Sequence, residues 1–148
     1  MYISKINIEN FKSFKGSFKL FLDRGINIVV GENEAGKSTI IEAIHLTLSG
    51  LLNGKYLNNE LTQYIFNYEV VTEYLDNLNK GINSMPPHIL IEIFIEGEDI
   101  SEFEGNGNSE KTNSSGISLK IAFDEKYKKE YEDLIKIGGI KSLPIEYY

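Results

Sequence analysis

The segment Gly31-Glu32-Asn33-Glu34-Ala35-Gly36-Lys37-Ser38-Thr39 satisfies the pattern G-x-x-x-x-G-K-[ST], and its flanks restrict the fold as much as the motif does. An apolar run, Ile26 to Val30, stands directly before it, and Ile40-Ile41-Glu42-Ala43 opens a helix-patterned stretch directly after it. Apolar on both faces except at Asn27, the run predicts a strand buried inside a sheet, delivering the loop at its C-terminal end, where open α/β sheets bind ligands. The spacing of Ile40, Ile41, Ile44, Leu48 and Leu51 predicts a helix from about Lys37 to Leu48 that lays its apolar stripe on the sheet and ends near Gly50 and Gly54.

A strand, a glycine-bounded loop and a helix in this order form a cradle for a nucleoside triphosphate. Glycine at Gly31 and Gly36 lets the loop curl and brings backbone N–H groups close to the phosphates with no Cβ in the way. The unpaired N–H groups and positive dipole end of the following helix point at the same anion. Lys37 supplies the mobile cation for the β- and γ-phosphates, the Ser38 hydroxyl ligates Mg²⁺, and Thr39 donates near the α-phosphate.

With 148 residues, 41 % of them hydrophobic, the chain can bury one core, so residues 1–148 read as a single lobe. The absence of cysteine excludes a disulfide framework and a thiolate metal site. No apolar run approaches the ~20 residues that span a bilayer, so the reading is a cytoplasmic protein with no membrane partner. A net charge of −7 argues against this chain alone binding nucleic acid nonspecifically. Its lysines gather at Lys5, Lys12, Lys15 and Lys19 and again at Lys126, Lys128 and Lys129, where acidic residues interleave; both groups read as solvated faces.

Elsewhere, Ile3 to Leu22 reads as a hairpin turning at Lys15-Gly16-Ser17, and Val70, Val71, Tyr74, Leu75 and Leu78 as a helix ending before Gly81. Ile89 to Ile95 is a strand with Ile117, Leu119, Ile121 and Phe123 as its partner. Between them, residues 97–116 have the Gly, Asn, Ser and Glu content of a mobile surface loop. Asp124 caps a charged amphipathic helix that stops at Gly138-Gly139, and Ile145 to Tyr148 reads as a further strand. No apolar run ends in the acidic residue that orders Mg²⁺ in hydrolytic P-loop enzymes, so the chain reads as the nucleotide-binding front of a larger protein. His45 and His88 have no second His or Cys nearby and read as structural.

The opening Ile6-x-Ile8-x-Asn10-Phe11-Lys12-Ser13-Phe14, the run Gly25 to Thr39 and Glu42-Ala43-Ile44 resemble the N-terminal lobe of SMC-like ABC ATPases. The later segments Leu48 to Lys55, Tyr64 to Asn67, Pro86 to Glu92 and Leu143 to Tyr148 are similar to ATP-dependent endonucleases of the OLD family (overcoming lysogenisation defect), some of which act in phage defence. That resemblance implies an α/β P-loop NTPase lobe with a mixed sheet and an antiparallel β-hairpin subdomain, binding ATP and Mg²⁺. It also implies two heads that sandwich ATP as a homo-oligomer, and DNA cleavage by a C-terminal TOPRIM module absent here. Within the loop, Asn33 is placed to meet the γ-phosphate, with Glu34 and Ala35 beside it. By the same resemblance Lys12 and Ser13 approach the nucleotide, and Gln63 is a candidate for the Mg²⁺-sensing glutamine. The fragment alone is expected to bind ATP without hydrolysing it.

Two other readings remain open on sequence. One is the head of a chromosome- or repair-type SMC-like clamp with no nuclease; the other is a nucleotide-binding or interaction module complete as it stands.

Overall fold

A computed structural model describes residues 1–32 and 36–148. The alternating apolar segments form a five-stranded sheet in the order β2-β1-β5-β7-β6, from β1 (Tyr2–Glu9), β2 (Ser17–Phe21), β5 (Ile89–Glu96), β6 (Glu104–Gly105) and β7 (Ser114–Ile121). Every pairing within it is antiparallel. Register carries the alternation across strands: Ile6 lies opposite Leu20 and Ile93, Ile8 opposite Phe18 and Ile91, and Leu119 opposite Ile91. One face of the sheet is therefore continuously apolar.

Helix α1 (Lys37–Ser49) packs on that face and closes with Gly50 in the left-handed region, whose N–H bonds Leu46 O. The short hairpin of β3 (Leu51–Leu52) and β4 (Lys55–Tyr56) follows, then α2 (Leu57–Glu60). Helix α3 (Tyr68–Asn79) contributes Val71 and Tyr74 to the core, and α4 (Lys128–Ile137) contributes Tyr131. Ile6, Ile8 and Leu46 are fully enclosed, each burial contributing about 2 kcal/mol.

The stripe that α1 buries is Ile40, Ala43 and Leu46, whereas Ile41 and Leu48, expected on the sheet, are 66 % and 53 % exposed. The helix is apolar on two sides, and only one side is covered. The strand expected over Ile26 to Val30 does not form either: the segment is irregular, with Ile26, Ile28 and Val30 between 81 % and 92 % exposed. A strand apolar on both faces needs a paired neighbour and cover on both sides. The antiparallel sheet closes its order without this segment and already takes the inner side of α1.

The chain end is also not a strand. Ile145–Tyr147 forms a 3₁₀ turn after Pro144, Tyr147 O accepts the Asp124 N–H, and Tyr148 Oη donates to Pro87 O at 2.8 Å. An extended chain would send alternate side chains outward; the turn instead places Tyr148 edge-on to Phe66 and Tyr147 beside Tyr127 and Tyr131. Residues 97–116 contain a 3₁₀ turn at Ser101–Phe103 and strand β6, and Ser114 to Gly116 already belong to β7. On the polar face of the sheet, the buried Glu92 carboxylate accepts from Asn7 Nδ2, Ser109 N and Ser109 Oγ. Glu110 beside it pairs with Lys5 and Lys19, whose ammoniums hold its carboxyl down at about 2.

The Tyr131 hydroxyl is buried without a hydrogen-bond partner, and desolvation pushes its pKa up to about 12. Tyr131→Phe is expected to raise stability by ~1 kcal/mol at neutral pH. The folded state holds this proton more tightly than an unfolded tyrosine does, so stability falls as pH rises from about 10 toward 12. Thermal melts at pH 8 and pH 11 should show a smaller alkaline loss in Tyr131→Phe than in the parent.

Candidate functional site

Gly36 stands at the N-cap of α1 with φ 89°, a left-handed conformation that favours glycine. A second constraint acts on the same atom: a Cβ here would lie 2.8 Å from Phe14 Cζ and 2.9 Å from Ser13 Oγ. Phe14 stacks on Phe18 with centroids 4.3 Å apart, so the turn between β1 and β2 packs directly against the end of the phosphate loop. Among the described residues no side chain caps α1, and no acidic residue occupies its first turn. The leading N–H groups of a helix and its dipole suit an anion.

Lys12 and Ser13 are brought to α1 from a different element. The Lys12 ammonium pairs with Glu42 on α1, and Ser13 Oγ lies 3.3 Å from Thr39 Oγ1. Lys37 folds back over its own loop, donating to the carbonyls of Gly31 and, at 2.8 Å, Glu32. Ser38 is exposed and lines an open cleft of about 590 Å³ together with Glu42, His45 and Asn53. These groups fit a metal-bound triphosphate: backbone N–H donors, one mobile ammonium and one hydroxyl. Asn33, Glu34 and Ala35 lie outside the described residues.

Gln63 is engaged elsewhere. It belongs to a 3₁₀ turn, and its side-chain oxygen, the atom a cation would need, accepts Leu143 N–H at 2.9 Å. Among the described residues no cluster of three or more His, Asp or Glu converges as a metal centre. His45 Nδ1 lies 3.4 Å from Ser49 Oγ on the same helix, and His88 Nε2 lies 3.5 Å from Glu9 Oε1 of β1. Sequence reasoning missed two participants, Phe14 and Asn67. Asn67 is legible as a helix cap, since it precedes Tyr68-Glu69-Val70 with an acid in the first turn; its contact with the 10–16 turn has no local signal.

The family model described as "AAA domain" matches residues 5–145. The chain belongs to the AAA domain family. The DNA double-strand break repair Rad50 ATPase of Thermoplasma acidophilum is 31 % identical over 147 residues, covering 91 % of this chain and 16 % of that protein. The chromosome partition protein Smc of Synechocystis sp. is 28 % identical over 138 residues, covering 88 % and 11 %. Among solved structures, an SMC ATPase described for ATP-driven dimerization and DNA-stimulated activation aligns with TM-score 0.52 and 21 % identity over 82 % of this chain and 64 % of that one. A RecF–ATP structure aligns with TM-score 0.51 and 18 % identity over 82 % and 24 %.

This AAA domain is therefore similar to the P-loop ATPases Rad50 and Smc in sequence, shares the α/β fold of SMC and RecF ATPase heads, and spans about a sixth of the length of the Rad50 it matches. None of the relatives named here is an OLD nuclease, and the narrower resemblance to that family gains no support from them. Among the described residues no helix is long and apolar enough to cross a membrane.

Proposed function

We propose that this lobe binds Mg-ATP as part of an SMC-like ATPase head, and that ATP binding controls the pairing of two heads in a protein that acts on DNA in the cytoplasm. The observation that carries the reading is the N-terminus of α1 at Gly36, with no side-chain cap among the described residues, packed against Ser13 and Phe14 with Lys37 and Ser38 at its opening. Lys37 would exchange the Gly31 and Glu32 carbonyls for β- and γ-phosphate oxygens, the Ser38 hydroxyl would hold Mg²⁺, and Thr39 and Ser13 would orient the α-phosphate side. Mg²⁺, when bound, would supply charge neutralisation across the phosphates.

The exposed apolar side chains, Ile26, Ile28 and Val30 before the loop and Ile41 and Leu48 on α1, are what the remainder of a head would cover. Rad50 and Smc relatives are several times longer than this chain, which supports that reading. Hydrolysis then requires groups from beyond this lobe, because among the described residues no strand presents a Mg²⁺-ordering acid beside Ser38. A clamp-type head is favoured over a nuclease-fused one, the named relatives being repair and chromosome-partition ATPases.

A fluorescent ATP analogue, titrated with Mg²⁺ and with EDTA while phosphate release is followed in the same samples, tests this. Saturable Mg²⁺-dependent binding without sustained release is expected. Absence of binding overturns the reading, and sustained release shows that the lobe is hydrolytically complete.

A further inference from the structure

The turn that carries Lys12 and Ser13 has two residues in the left-handed region. Asn10 has φ 56°, which asparagine tolerates, and Lys12 has φ 48°, a value that a residue with a long side chain rarely takes. The turn is held from within by the Gly16 N–H on Asn10 Oδ1 and the Phe14 N–H on Phe11 O, and from outside by Asn10 Nδ2 on His88 O and by a segment more than fifty residues away. Ile65 O accepts the Lys12 N–H at 2.9 Å, Asn67 N–H donates to Asn10 O at 2.8 Å, and Asn67 Nδ2 donates to Lys12 O at 2.8 Å. A bridge between Phe11 and Phe66 lies between these bonds.

Asn67 uses its remaining polar atom on the other side. Its Oδ1 accepts the N–H groups of Glu69 at 3.1 Å and Val70 at 3.3 Å, capping α3, which is anchored in the core through Val71 and Tyr74. The residue is buried, at 7 % exposure. One amide thus ties a rigid helix to the turn whose next residues, Ser13 and Phe14, abut Gly36 and Thr39. We propose that Asn67 is a positioning residue for nucleotide binding: through Lys12 O it fixes the turn that sets Lys12 and Ser13 against the phosphate loop. This inference rests on the ATP-binding reading above.

The two jobs of Asn67 can be separated. Aspartate caps helices as well as asparagine and suits the dipole, but it has no N–H to give Lys12 O. Asn67→Asp is therefore expected to lower the melting temperature by about a few degrees, because a carboxylate oxygen then faces the Lys12 carbonyl, to bind fluorescent Mg-ATP about fivefold more weakly, and to exchange the amides of residues 12–14 faster while α3 stays protected. In a Lys12→Ala, Ser13→Ala background the same substitution should cost no further affinity, because the residues it positions are gone. Parent-like affinity and exchange in Asn67→Asp overturn the proposal. Faster exchange throughout α3 also overturns it, leaving Asn67 as a cap alone. If the parent itself does not bind, or binds equally well after Lys37→Ala, the ATP-binding reading is what has failed.

Discussion

Lys37→Ala is expected to weaken Mg-ATP binding by about 10- to 100-fold while leaving thermal stability within ~0.5 kcal/mol of the parent. The affinity loss follows from removing the one mobile cation of the loop, whose charge-assisted bonds to phosphate oxygens have no substitute nearby; Lys12 is already paired with Glu42. The stability side follows from what Lys37 touches, the carbonyls of Gly31 and Glu32 at the exposed rim of the site. Losing these contacts exposes the carbonyls to water and leaves no buried group unpaired. Lys37→Arg should recover only part of the affinity, since a planar fork does not replace a compact ammonium in a narrow loop. Titration of the fluorescent analogue alongside a melt gives both numbers. Unchanged binding in Lys37→Ala would remove the phosphate cradle from consideration, and a large fall in melting temperature would show that the lysine is structural.

The parts of the fold that were legible in the sequence are those fixed by short-range pattern. Alternation at Ile89 to Ile95 and at Ile117 to Ile121 locates β5 and β7, and the glycines at Gly50 and Gly81 bracket α1 and α3. The candidate phosphate loop is written in the same local way, because G-x-x-x-x-G-K-S encodes backbone curvature and chemistry within eight residues. What the sequence misled on depends on partners. Ile26 to Val30 has the composition of a buried strand, but composition cannot say whether a neighbour is present to pair with it, and here the segment lies exposed. Ile41 and Leu48 fail for the same reason: α1 is apolar on two sides, and its sequence does not rank them. At Ile145 to Tyr148 alternation suggested a strand, whereas burial of two tyrosine rings favoured a turn. The contacts of Ser13 with Thr39 and of Asn67 with Lys12 join segments distant in the chain, so no local pattern announces them.

Gly116 shows how the same residue type carries opposite meanings, and it sets the second large effect. Read along the chain, it closes a stretch of loop composition; in the structure it lies inside β7, opposite Phe94 of β5. A Cβ at this position would fall 2.4 Å from Ile93 O and 3.4 Å from Phe94 Cα, both backbone atoms of the neighbouring strand. A flexible side chain could swing aside, but a carbonyl committed to the sheet cannot move without opening the β5–β7 ladder, and β5 is also the neighbour of β1. Gly116→Ala is expected to destabilise the lobe by about 3 kcal/mol, the upper range for overpacking, with Gly116→Val worse. Gly105→Ala is the control, since a Cβ there meets nothing within 4 Å. It should melt within a few degrees of the parent, as expected for a surface change. Because Gly116 is on the sheet and not at the phosphate loop, Gly116→Ala held below its melting temperature should keep parent-like affinity for Mg-ATP. If Gly116→Ala melts like the parent, β5 and β7 are not in the close register described, and the buried Glu92 network beside them would need reassigning as well.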